Sequence, residues 1–413
     1  MTGLVQPETP RSPARPRQRL AQRCAIIPRD RAAFVAATVL AAALMSPLAP
    51  AAAQSAAPLA ATSRDYKLAV TKVVGGLVHP WSLAFLPDGA MLVTERPGRL
   101  RLIENGKLDP EPVAGLPAVF AQGQGGLLDL ALDPDFAKTG LVYFSYAEPR
   151  QGGAGTTLAR GQLVREGGKA RLENVEVIFR QEPALPGGIQ FGSRFAIASN
   201  GTLYVTLGDR RQADLAQKLD NDVGKVIRID RDGSIPKSNP FVGRDGARPE
   251  IWAYGFRNGQ GAAIDPATGQ LWTVDHGAKG GDEINHPEAG KNYGWPVITY
   301  GVDYSGAKIG IGTSAPGMEQ PVYYWDPSIA PSGLAIYDGA LFPKWKGDLL
   351  VGALKGQILV RLDRENGRIV DEERMMKGLI GRIRDVRVGP DGAIWLLTDE
   401  ENGGLYRVIP AKS

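Results

Sequence analysis

One short unit recurs six times along the chain and limits what it can fold into. It is an apolar strand, a turn built on Pro, Asp, Asn or Gly, and a second apolar strand. The copies are LAFLPDGAMLVTER (83–96), LALDPDFAKTGLVYFSY (130–146), FAIASNGTLYVTLGD (195–209), AAIDPATGQLWTVD (262–275), LAIYDGALFPKWKGDLLVGAL (334–354) and VRVGPDGAIWLLTD (386–399). Short alternating runs predict half-buried strands, and the turn residues suit tight connections. Units spaced by roughly 45–80 residues point to radial repeats. A single unit leaves an apolar face bare, whereas a ring of units buries each face on its neighbour. We therefore predict an all-β chain, a six-bladed β-propeller of four-stranded antiparallel blades spanning 65–413. The run Tyr66–Val74 alternates like a strand and is expected to close the ring against the last blade. A pair of β-sandwiches is the competing architecture, and the recurrence of one unit along the whole mature chain argues against it.

The N-terminal region reads differently. Seven arginines between Arg11 and Arg31 precede the apolar run AAFVAATVLAAALMSPLAP and the small residues AAAQS. That order predicts a secretory signal over 1–54, cleaved near Ala53, rather than a membrane anchor, because Pro47 and Pro50 interrupt the run. Residues 55–64 are expected to form a flexible lead-in. Removing the signal also removes Cys24, the single cysteine of the 413 residues, so neither a disulfide nor a thiolate metal site is expected. The first 54 residues carry a surplus of five positive charges, so the whole-chain charge of +4 leaves the remainder at −1. A nucleic-acid partner needs a concentrated basic face, and stable membrane insertion needs a span; neither is expected here. A periplasmic protein fits these features.

The densest concentration of chemistry lies between Glu250 and Pro296, EIWAYGFRNGQGAAIDPATGQLWTVDHGAKGGDEINHPEAGKNYGWP. Glycines in its long loop let backbone carbonyls turn toward a ligand. Asp282 and Glu283 read best as loop-end hydrogen-bonding groups. Elsewhere Arg382 and Arg384 stand two apart, which on a strand points them to one face. In a propeller the loops at one end converge, so Arg257, Lys355, Arg382 and Arg384 could surround one flat anion, with arginine giving bidentate pairing.

Read together, GQGGLLDLALDPDF (123–136), FGSRFAI (191–197), TLGDR (206–210), GFRNGQG (255–261), DHGAKGGDEIN (275–285), KNYGWP (291–296), LKGQILVRL (354–362) and GRIRDVRVGPDG (381–392) resemble the soluble quinoprotein sugar dehydrogenases. These form the glucose/sorbosone dehydrogenase family, which includes periplasmic aldose dehydrogenases. The resemblance runs from about His79 to Arg407. It implies pyrroloquinoline quinone (PQQ) over the channel with a calcium ion beside it. It also implies cofactor contacts from Gln124, Arg257, Asn258, Lys355, Arg382 and Arg384, and calcium held by the carbonyls of Gly277 and Ala278. The implied activity is oxidation of an aldose at its C1 hydroxyl to a lactone, with hydride passing to the quinone. The partners are then a small sugar and an external electron acceptor that the sequence leaves unspecified, as it does the oligomeric state.

One position departs from the family. Its segment reads His-Phe-Gly-Ser-Arg, and that His is the general base; here Gln190 stands in its place. A neutral amide cannot take a proton, although it can hydrogen-bond a hydroxyl. The expected catalytic group is therefore Gln190, Asp209 and Arg257. Asp209, which in the family orients the base, is the better substitute for it. The alternative is a propeller that binds carbohydrate or quinone without turnover. Of the three histidines, His79 and His276 read as structural. Trp295, Tyr324 and Trp325 could stack on a ring or pack in the core.

Overall fold

The computed structural model describes residues 57–412. The signal-peptide reading of 1–54 lies outside them. Six antiparallel sheets follow one another in chain order. Their innermost strands are Pro80–Phe85, Leu127–Leu132, Gly192–Ile197, Gly259–Ile264, Pro331–Ile336 and Ile383–Val388. The six recurring units are the first two strands of each blade with the turn between them, as the sequence predicts. Among the described residues, helix is confined to one turn at Phe136–Thr139 and two 3-10 segments. The chain is thus a six-bladed β-propeller.

Ring closure follows the expectation. Lys67–Leu77 pairs antiparallel with Gly403–Pro410, placing Leu68 opposite Pro410 and Leu77 opposite Gly403. The lead-in reading is corrected. Leu59–Thr62 forms a fifth strand on this sheet, with Leu59 opposite Val70 and Thr62 opposite Lys67. The reason is local: the Ser63 hydroxyl donates to the Tyr66 carbonyl and accepts from the Tyr66 N–H, closing a tight turn.

Burial explains why the strands read as they do. The second strands Met91–Glu95, Leu271–Asp275, Leu349–Ala353 and Ile394–Thr398 are buried on both faces, because a neighbouring blade covers each side. The outer strand Arg368–Met375 is mostly exposed or half-buried. Six apolar clusters lie between successive blades; one joins Leu92 and Leu102 of the first blade to Leu130 and Phe144 of the second. Each fully buried Leu, Val or Ile contributes roughly 1.5–3 kcal/mol. Near the axis the inner strands meet backbone to backbone. A Cβ on Gly333 would lie 2.7 Å from the Val386 nitrogen, and one on Gly261 would lie 2.7 Å from the Ser332 carbonyl oxygen.

The channel is crossed by a buried ionic cluster. Arg194 reaches Asp129 at 2.8 Å and Asp385 at 3.0 Å, and Arg387 reaches the same two carboxylates at 2.9 and 2.8 Å. The Arg194 guanidinium also lies 4.0 Å from the Trp81 ring centre, within cation–π range. Burial raises the Asp129 carboxyl, but Arg194 and Arg387 outweigh it and hold the group below its ordinary value.

Candidate functional site

Most of the site residues lie at one end of the ring, where chain enters an innermost strand or leaves a second strand. Arg96, Asp209, His276, Leu354 and Asp399 follow second strands; Gln124, Gln190, Asn258, Ala330 and Arg382 precede inner ones. Two hollows open there and share a wall. Asn258 and Gly192 line the first, while Arg257 and Gln190, one or two residues earlier, line the second.

The first hollow, about 330 Å³, lies over Trp81 and is lined by Gln124, Asn258, Gln260, Arg96, Arg382 and Arg384 among others. Asp399 is its one carboxylate. Arg384 pairs with Asp399 at 2.6 Å, Arg382 lies 3.6 Å away and Arg96 3.9 Å away. The His79 ring nitrogen Nδ1 sits 2.9 Å from the other oxygen. Burial raises the Asp399 carboxyl, yet Arg384, Arg96 and His79 together hold it well below the usual carboxylate range. Burial lowers the Arg96 pKa from its ordinary value; Asp399 opposes this, and Arg384 and Arg382 add to it. The Nε atoms of Arg96 and Arg384 are buried without a hydrogen-bond partner. Three guanidiniums around one carboxylate leave positive charge in excess, which suits a polyanion.

Of the four cations expected around one hollow, the structure brings Arg382 and Arg384 together. Arg257 lines the second hollow instead, and Lys355 is exposed at the rim beside Leu354, which does line the first. Arg96 was missed. Its signal was present: it ends the first recurring unit, at the place equivalent to Asp209 and Asp399 in theirs. Gln260 and Trp81 were also missed. Gln260 links the hollow to the channel, accepting from Arg384 at 3.0 Å while its carbonyl accepts from Arg194 at 2.9 Å.

The second hollow, about 430 Å³, is lined by Gln190, Asp209, Arg211, Arg257, Ala278 and Trp295, with Asp303, Tyr304 and Ile309 on its outer side. Asp209 accepts from the Arg211 backbone N–H at 3.0 Å and from Trp295 Nε1 at 2.8 Å. Burial raises the Asp209 carboxyl, and the Arg211 N–H, Arg257, Trp295 and Arg210 only partly offset it. Gln190, Arg210 and Arg211 are left-handed, with φ of 55°, 51° and 61°; non-glycine residues take that conformation at a cost and cluster at functional sites. Arg210, unremarked in the sequence, clamps the region. Its guanidinium donates to the carbonyls of Ala154, Gly187 and Ile189 and lies 3.7 Å from the Phe191 ring centre.

The glycine loop connects the hollows. Arg257 donates to the carbonyls of His276 at 2.8 Å and Gly277 at 2.5 Å. Asp275 anchors Arg257 and Asn258 by accepting both backbone N–H groups, and burial pushes its carboxyl up to about 6. The carbonyl oxygens of Gly280 and Gly281 press so closely on Gly277 that a Cβ there would lie 2.3 Å from each. Asp282 behaves as read from the sequence: it accepts from the Gly277, Ile329 and Ala330 N–H groups and the Ser328 hydroxyl. Among the described residues no three acidic, His or Cys side chains converge as a metal cage, so an ion here would rest on carbonyls. His276 Nδ1 lies 2.8 Å from the Gly277 carbonyl, and His286 stacks on Trp272. The three aromatic candidates separate: Trp295 lines the second hollow, Trp325 is core, and Tyr324 stacks on Tyr300 at 3.8 Å on the surface.

Comparison with known proteins bears on the family and the fold. The glucose/sorbosone dehydrogenase family model matches residues 77–407. Aldose sugar dehydrogenase YliI of Escherichia coli K12 is 45% identical over 338 residues, covering 81% of this chain and 91% of that protein. Quinoprotein glucose dehydrogenase B of Acinetobacter calcoaceticus is 26% identical over 406 residues, covering 79% and 84%. The crystal structure of the soluble aldose sugar dehydrogenase from Escherichia coli in its apo form superposes with a TM-score of 0.81 at 44% identity, over 83% of this chain and all (100%) of that one. The PQQ-bound aldose sugar dehydrogenase from Streptomyces coelicolor gives 0.67 at 27% identity, over 83% and 99%. The chain belongs to the glucose/sorbosone dehydrogenase family.

Proposed function

We propose that the protein oxidises aldose sugars at the C1 hydroxyl to lactones with PQQ and calcium, in the periplasm. The observation that carries this reading is the first hollow, where Arg96, Arg382 and Arg384 face the single carboxylate Asp399. A flat tricarboxylate would meet those guanidiniums at its charged edge and Gln124, Asn258 and Gln260 along its polar edge. Calcium prefers hard oxygen donors, carbonyls included, and the compact loop that only glycine permits at Gly277 would offer those of Gly277 and Ala278 once the Gly277 oxygen gives up its hydrogen bond from Arg257. PQQ, when bound, supplies a two-electron acceptor. The sugar would occupy the second hollow, and an external acceptor would carry the electrons away.

The buried amide of Gln190 favours a second reading, a propeller that binds quinone or carbohydrate without turnover. One titration separates the possibilities. Apo-protein with calcium is titrated with PQQ and followed by quinone absorbance, then supplied with aldoses and a redox dye. Saturable binding and dye reduction support the enzyme. Binding without turnover across a broad sugar panel supports the second reading, and no PQQ binding defeats the enzyme and the quinone-binding form of the second reading.

A further inference from the structure

We propose that Asp209 is the catalytic base of this chain, taking the proton of the substrate hydroxyl while the Gln190 amide holds that hydroxyl. The inference rests on the dehydrogenase reading above and assigns its proton-transfer step. It begins from elimination within the second hollow. Two of its lining side chains are carboxylates, Asp209 and Asp303. Asp303 sits exposed on the outer side; its Oδ1 accepts from both the hydroxyl and the N–H of Ser305, and those bonds lower its carboxyl from the ordinary value, which makes it the weaker proton acceptor of the two. The histidines are committed elsewhere, His79 to Asp399, His286 to Leu271 and Trp272, and His276 to the Gly277 carbonyl beside the first hollow.

Asp209 is placed for the work. Each of its oxygens accepts one hydrogen bond, from Arg211 N–H and Trp295 Nε1, and a carboxylate oxygen has a second lone pair free. Gln190 complements it. The Arg211 N–H also donates to Gln190 Oε1, at 3.1 Å. An N–H can only donate, so the amide oxygen must face it. The amide NH2 is then left to donate into the hollow. A sugar hydroxyl between the two would accept from Gln190 and donate to Asp209. One backbone N–H thus holds both oxygens close to a single point, and the Arg210 clamp fixes the loop that carries Gln190. The charged groups around Asp209 are Arg257, Arg210 and Asp275. Burial outweighs the two arginines and leaves Asp209 with more proton affinity than an exposed carboxylate.

The step balances. The C1 hydroxyl proton passes to a free Asp209 oxygen lone pair, the C1–O bond becomes a carbonyl, and the C1 hydrogen leaves with both bonding electrons to the orthoquinone-class acceptor. Asp209 returns its proton to water through the open side of the hollow.

The test is a four-protein cycle: wild type, Asp209→Asn, Gln190→His and the double variant, each loaded with PQQ and calcium. General-base removal is expected to lower kcat by about 10²-fold or more in the wild-type background. In the Gln190→His background the imidazole takes over the proton, so the same substitution should cost at least about tenfold less. An equal loss in both backgrounds would reduce Asp209 to a positioning residue, and an Asp209→Asn protein within threefold of wild type would overturn the assignment outright. Asp209→Ala rescued by added formate gives an independent check, and absence of rescue where PQQ still binds counts against the proposal. A readout without cofactor accompanies these. Trp295 donates to Asp209, so apo-protein tryptophan fluorescence should show a transition above the ordinary value for an aspartate and lose it in Asp209→Asn and in Trp295→Phe. PQQ affinity of each variant keeps the two ideas apart. Failure of wild type to bind PQQ removes the dehydrogenase reading, whereas normal binding with full Asp209→Asn activity removes only the base.

Discussion

Two arginine–carboxylate clusters lie one above the other on the propeller axis, and they are built to opposite rules. In the channel, Arg194 and Arg387 face Asp129 and Asp385, two charges against two, with each guanidinium touching both carboxylates. At the mouth, Arg96, Arg382 and Arg384 share Asp399. The lower cluster is closed and serves the fold. The upper one keeps unspent positive charge where solvent and ligands reach it. Charge balance, more than the presence of arginine, separates a structural cluster from a binding one.

The comparison is broken most forcefully from below. Arg194→Met should destabilise the protein by about 3–5 kcal/mol, because it leaves buried carboxylates short of a partner. Denaturant unfolding measures this, and a loss under about 1 kcal/mol would make the channel cluster no more structural than a surface pair. Arg384→Gln falls between the two classes, since Arg384 both pairs with Asp399 and faces the hollow. It should weaken PQQ binding roughly 10- to 100-fold, the worth of one charge-assisted hydrogen bond, with a smaller loss of stability. Its effect on acid unfolding has a defined sign. Asp399 has a folded pKa below its unfolded one. It therefore adds stability above pH ~4, and this is lost as pH falls below that value. Arg384→Gln should flatten that acid limb, and an unchanged limb would mean Asp399 draws its stabilisation elsewhere. The smallest expected effect is Arg382→Ala. Its side chain is 40% exposed, so stability should move by no more than about 0.5 kcal/mol, while PQQ affinity falls several-fold and becomes less sensitive to salt. A stability loss as large as that of Arg194→Met would erase the distinction between the clusters.

The propeller was legible because its information is local. A strand, a turn built on Pro, Asp, Asn or Gly and a second strand declare themselves within 14 to 21 residues, and all six units sit where expected. The closing strand was legible for the same reason, whereas Leu59–Thr62 was not: Leu-Ala-Ala-Thr carries no strand signal, and a turn at Ser63–Tyr66 folds it back. Motifs named Gln124, Asn258, Arg382 and Arg384, and the structure gathers these four on one hollow. What a motif does not carry is the direction of a side chain. Arg257 and Asn258 are adjacent, so their side chains serve different hollows, and Lys355 follows a strand end that leaves it exposed. Arg96 was overlooked because its signal lies in its place at the end of a recurring unit, not in a motif of its own. Arg210 was overlooked because its partners are backbone carbonyls, which leave no trace in composition.

Each blade offers two equivalent positions to the rim, one entering the inner strand and one leaving the second, and the chain fills them unevenly. The last and first blades supply guanidiniums through Arg382, Arg384 and Arg96, while the second and fourth supply amides through Gln124, Asn258 and Gln260. A nearly sixfold scaffold therefore carries a lateral electric polarity. A planar guest with acidic groups spaced unequally along its perimeter is turned within its own plane until they meet the guanidinium side. On the proposed reading its reacting edge would thereby be aimed across the ring toward Asp209 and Trp295, as a compass card is aligned before anything is read from it.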